Sequence, residues 1–162
     1  MSAPTLTSCQ VELFLVTLGD DSVIHFIRRH APLHGTPDDA ARALLATSKT
    51  VWLHSTSWRF ENGDVVLTYL AWCEWGDWCN DPDMKCLSDR SSVSHQCQPY
   101  NPSPLCVTES HVLTHGLRHF SWLAQRPEEN PCVHQLDERT QSWLKSLEAF
   151  PAGQIRGSTH IA

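Results

Sequence analysis

The chain reads as an α+β fold: a small, mainly antiparallel sheet of one central strand plus a β-hairpin, packed by four helices. Three observations point there. The run Val11–Leu18 (VELFLVTL) is apolar on both faces apart from Glu12, as a central strand requires. Two alternating segments, 50–60 and 65–73, flank Asn62-Gly63, the dipeptide that accepts the positive φ angles of a type I′ hairpin turn. A helix start is spelled out at Thr36 as N-cap, Pro37 at the first helical position, and Asp38 and Asp39 in the first turn.

The remaining elements follow in order. Asp20-Asp21 opens a short helix carrying Val23, Ile24, Phe26 and Ile27 and ending in Arg28, Arg29 and His30. Pro32, Gly35 and Pro37 punctuate a loop, and Ala40 to Ala46 propagate the Thr36 helix. The hairpin turn sets a register in which Glu61 opposes Asp64, Phe60 opposes Val65, and His54 opposes Ala71. Alternation then puts Trp52, His54, Thr56, Trp58 and Phe60 on the core face, with Ser55, Ser57 and Arg59 on the other. Residues 74–107 hold five-residue and longer cysteine gaps, Gly76 and four prolines without any helical or strand period. They are expected to form a long, irregular, Cys-rich insertion. One helix spans 108–124. A last one starts at Asn130-Pro131, carries Val133, Leu136, Leu144 and Leu147, and stops before Pro151. All 162 residues fit a single domain.

Composition narrows the function classes. A net charge of −6 lacks the basic footprint that tracks a phosphate backbone, which argues against nucleic acid. No apolar run approaches the length of a membrane span, and Met1 to Gln10 lack the basic residues that open a secretory signal. A soluble, cytoplasmic protein is expected. Of seven cysteines, Cys73, Cys79, Cys86, Cys97 and Cys106 cluster, yet no Cys-x-x-Cys is present. A zinc knuckle turns on that short spacing, so reduced, unpaired thiols are the expectation.

Seven tryptophans and ten histidines are the unusual feature. His111, His115 and His119 recur every four residues on the 108–124 helix. His111 and His115, with Arg118 and Trp122, form a ridge opposite the stripe Leu113, Leu117, Phe120 and Ala124, and His119 lies at its flank. An i, i+4 histidine pair can chelate a divalent metal such as zinc. The glutamate of His-Glu-x-x-His is missing, so a further ligand such as His54, Glu109 or a cysteine is required. On the hairpin, Arg59 with Ser55, Ser57 and Thr68 offers an anion clamp beside His54. A cysteine–histidine nucleophile pair is allowed, but so many of each residue make it uninformative. The sequence assigns no reaction. It favours a small binding or interaction domain for a small ligand, a protein partner or a second copy of itself. The alternative is a metal-dependent or anion-binding enzyme built on the His/Arg cluster.

The hairpin supplies the first test. Gly63→Val forces a β-branched residue into a positive-φ turn and is expected to cost about 1–3 kcal/mol, read from a denaturant titration.

Overall fold

The computed structural model describes residues 8–46, 48–87, 107–147 and 149. The chain is α+β. A mixed five-stranded sheet runs in the order β3-β4-β1-β2-β5, with three α-helices among the described residues. The strands are β1 (Ser8–Leu18), β2 (Ile24–Pro32), β3 (Thr50–Glu61), β4 (Asp64–Cys73) and β5 (Lys85–Cys86). The helices are α1 (Pro37–Leu45), α2 (Glu109–Ala124) and α3 (Glu138–Lys145).

β1 lies at the centre, as its two-sided apolar run requires. It is antiparallel to β2 and parallel to β4, because the crossover through α1 carries the chain to the far edge before β4 returns. One face of the sheet presents Phe14, Val16, Ile24, Phe26, Trp52, Leu70 and Trp72 to α2 and α3. The other presents Val11, Leu13, Leu15, Ile27, Tyr69 and Ala71 to α1. Thr36 caps α1 by accepting from the Asp39 amide at 3.2 Å, as its sequence signals require.

Four expectations are corrected. Asp20 to His30 is not a helix. Ser22 adopts φ 61°, the Gly19 amide donates to Val23 O at 2.9 Å, and β2 leaves antiparallel to β1. The Asp21 carboxylate that looked like a helix start instead accepts from the Val23 amide at 3.0 Å, an Asx turn. Ile24 and Phe26 then alternate with His25 and Ile27 between the two faces. Next, the last helix is interrupted. A 3-10 turn over Pro131–Gln135 ends at Leu136, and Asp137 caps α3 afresh by accepting from the Thr140 amide at 2.7 Å.

The insertion is ordered in its first part. Residues 74–87 form a strap, with a 3-10 turn over Asp77–Asn80 and β5 paired to the outer edge of β2. Trp78, Cys79 and Leu87 are buried along it. Cys97, Cys106 and the rest of 88–106 lie outside the described residues. The fourth correction is a β-bulge between Ser55 and Ser57. Glu61 does oppose Asp64 and Phe60 opposes Val65, but His54 opposes Leu70 rather than Ala71. The extra residue reverses the alternation. Arg59 therefore shares the α2 face with Trp52 and Thr68, while Trp58 and Phe60 stand 53% and 48% exposed.

The face that Arg59 shares with Thr68 also holds Glu12, which is 1% exposed in the central strand. Arg59 donates to both its oxygens, at 2.8 and 3.0 Å, and Arg28 Nε donates at 2.6 Å. The Thr68 hydroxyl donates at 3.0 Å. Burial pushes the Glu12 carboxyl up, but the Arg59 contact, the Arg28 charge and Thr68 outweigh it, and the net shift is downward. The folded state thus keeps Glu12 ionised below the pH at which the unfolded chain protonates. Its contribution is complete above the unfolded pKa and is lost as pH falls through the lowered value. Glu12→Gln strands a buried guanidinium and is expected to cost about 3–5 kcal/mol. Adding Arg59→Met should recover much of that loss in a denaturant double-mutant cycle.

Candidate functional site

The bulge separates the residues expected to form an anion clamp. Ser55 faces α1 and lines a cavity of about 150 Å³ with Asp38, Arg42, Leu53, His54 and Tyr69. Arg59 lies on the opposite face, with its guanidinium committed to Glu12, Thr68 and Glu61. Ser57 sits at the bulge, opposite Thr68. The Tyr69 hydroxyl donates to Asp38 at 2.6 Å; burial and that carboxylate push its pKa up to about 12.

The histidine ridge divides in the same way. His111 belongs to the helix cap: its Nδ1 accepts from the Thr108 amide at 3.3 Å while Thr108 Oγ1 accepts from the His111 amide at 3.2 Å. His119 is 6% exposed, stacks on Trp122 at 6.0 Å and meets the His54 ring at 5.4 Å. Arg118 is buried too, and Trp122 carries Arg126 over its ring at 4.0 Å. α2 is thus buried on both sides. Burial, with His54 and His115 adding repulsion, pulls the His119 pKa down to about 4. Burial and Arg118 lower that of His115. Among the described residues, no group of three His, Cys, Asp or Glu side chains is arranged to hold a metal ion.

A different constellation stands where β2 and β5 meet. Cys86 is the cross-strand partner of His25, and its Sγ lies 3.4 Å from His25 Nδ1. On the far side of the ring, Nε2 lies 3.3 Å from both Asp21 oxygens. The Val23 amide holds that carboxylate, lowers its pKa and keeps it ionised. The turn behind it is tethered by Arg139 of α3, which donates to Gly19 O. Gly19 has no backbone need for glycine, since its φ is not positive. A Cβ there would sit 2.5 Å from both Asp21 Oδ1 and His25 Nε2. Its missing side chain is what leaves room for the Asp21–His25 contact.

The chemistry of this line is specific. Thiol and carboxylate address opposite nitrogens of one imidazole, so they do not converge on a metal. Asp21 favours the tautomer with hydrogen on Nε2, which leaves the Nδ1 lone pair facing the thiol. That is the arrangement of nucleophile, base and orienting carboxylate. Cys86 is exposed, as attack on a substrate requires, and Trp75 sets its ring against His25 at 5.3 Å and 76°. No family model, curated protein or solved structure matches the chain.

Sequence reasoning missed this site because it placed His25 on a helix and Cys86 in an irregular loop. The alternation of Ile24, His25, Phe26 and Ile27 was the available signal for a strand.

The ridge generates a pH prediction. The unfolded chain protonates His119 near pH 6.5 while the native state resists until about pH 4. Stability present above pH 6.5 is therefore lost as pH falls through that window, by roughly 3 kcal/mol. His119→Gln should flatten this loss in denaturant midpoints taken from pH 7 to pH 4.

Proposed function

We propose that the protein is a cysteine-dependent acyl-transfer enzyme whose nucleophile is Cys86. His25 is the general base and Asp21 the group that orients it. The observation that supports this reading is the line Cys86 Sγ–His25 Nδ1–His25 Nε2–Asp21, closed on both sides of one ring. In the reaction, Cys86 Sγ bonds to the carbonyl carbon of an ester or related acyl donor as its proton passes to His25 Nδ1. The bond to the leaving group then breaks, and His25 returns the proton to that group. Water, deprotonated by the same nitrogen, releases the acid and restores the thiol. Asp21 stays ionised throughout and stabilises the imidazolium.

The other thiols serve as internal controls. Burial raises the pKa of Cys73 and Cys79 and keeps them protonated. Incubation with p-nitrophenyl acetate is expected to add an acetyl group to the Cys86 peptide, seen by mass spectrometry, ahead of steady turnover. His25→Ala should slow that acylation about 100-fold or more. Cys86→Ser should abolish the adduct. Acylation of Cys86 no faster than that of half-buried Cys9 or Cys132 would overturn the assignment.

A binding-domain reading has its own support. Trp58 and Phe60 form an exposed edge-on pair at 5.6 Å on the sheet-edge strand β3. Exposed aromatics on the outermost described strand suit a partner that caps the hairpin.

A further inference from the structure

We infer that Trp75 is the platform that receives the acyl group, so that the substrate is a neutral acyl compound bearing an aromatic ring; this rests on the thiol assignment above. The strap carries two tryptophans three residues apart with opposite fates. Trp78 is 8% exposed and donates its indole N–H to Glu74 O at 2.8 Å, anchoring the strap on the sheet. Trp75 is 60% exposed, and the ring it meets is that of His25. A single exposed aromatic is ordinary on a protein surface. One that touches the base of a nucleophile, with most of its own area still open, is placed to stack a substrate ring beside the thiol.

The surrounding charges select against anions. Asp21 is 55% exposed on the far side of the imidazole, and Glu74 precedes Trp75. The cation next in sequence to Cys86 is Lys85, and alternation along β5 turns it to the other face, where Nζ pairs with Glu109 at 3.0 Å. Lys49 pairs with Glu74 at 3.1 Å. Among the described residues no cation contacts Cys86 or His25, so a carboxylate- or phosphate-bearing donor meets only Asp21. A neutral ring meets Trp75.

Alkylation tests this without turnover. Iodoacetamide and iodoacetanilide are neutral and differ by one phenyl ring; iodoacetate adds a charge. In each, Sγ displaces iodide from carbon and the thiol proton passes to His25. Rates at Cys86 would be followed by peptide mass spectrometry and normalised to glutathione. The expected result is about a fivefold preference for iodoacetanilide over iodoacetamide, the scale of one aromatic pair, with iodoacetate slowest. Trp75→Ala should erase that preference by slowing iodoacetanilide more than iodoacetamide. Trp75→Phe should retain part of it.

Equal normalised rates for the two neutral reagents in the wild type, with labelling still slowed by His25→Ala, would overturn the platform and leave the thiol assignment standing. So would a Trp75→Ala variant that slows both reagents alike, which would make Trp75 only a support for His25. Cys86 labelling indifferent to His25→Ala would remove the thiol assignment, and this inference with it.

Discussion

A buried carboxylate in the central strand sets the arrangement of the sheet. Glu12 has no water to solvate it and needs Arg59, Arg28 and Thr68 together. Arg59 reaches it because the Asn62-Gly63 register sets Arg59 opposite Val66, on the sheet face that Thr68 and Glu12 share. The bulge between Ser55 and Ser57 then lets the same strand turn Trp52 onto that face and into the α2 core; regular alternation from the turn would point Trp52 away from it. Trp58 and Phe60 fall on the other face and stay about half covered. An unpaired Glu12 costs about 3–5 kcal/mol, so registers that remove Arg59 from its face are strongly penalised. The ion pair is therefore better understood as fixing register than as adding net stability, since desolvation offsets much of its attraction.

The same weighing separates the cysteines. Cys73 at the end of β4 and Cys79 within the strap are both buried, which holds the thiols neutral and inert. Cys86 lies at the end of a two-residue edge strand, open to solvent and directly across from an imidazole. Reactivity in a chain with seven cysteines depends on which thiol has a base within reach and solvent access. Among the described cysteines Cys86 combines both.

Local signals carried much of the fold into the sequence. The Thr36 cap, the Asn62-Gly63 turn and the two-sided β1 run are each decided within a few residues, and each stands where its signal places it. What failed was decided at longer range. Asp20-Asp21 offers the same acidic signal to a helix start and to an Asx turn, and pairing with β1 settles the matter in favour of the strand. A bulge leaves no composition mark, yet it kept Arg59 beside Thr68 while turning Ser55 to the opposite face, which dispersed the expected clamp. The histidine ridge was correctly a face of α2, but periodicity cannot tell a solvated face from one packed a second time. The Asp21–His25–Cys86 line joins residues 65 positions apart through strand pairing, and no spacing rule in the chain announces it.

How Cys86 is held depends on which of its neighbours carries energy. Charges run from Glu12 through Arg28 to Glu109 and Lys85, and so reach the residue before Cys86. The terminal link is weak. Lys85 is 59% exposed, the Arg28–Glu109 separation is 3.9 Å, and pairs of that kind contribute about 0–1 kcal/mol. Leu87, on the other side of Cys86, is 5% exposed in the α2 cluster, and its amide donates to Ile24 O at 2.9 Å. Burying a leucine is worth about 1.5–3 kcal/mol and its ladder hydrogen bond about 1 more. The hydrophobic anchor, not the ion chain, fixes β5 against β2. The thiol is thus presented by a rigid contact one residue away, while the charges decide only which face Lys85 takes and, by alternation, leave the other to Cys86.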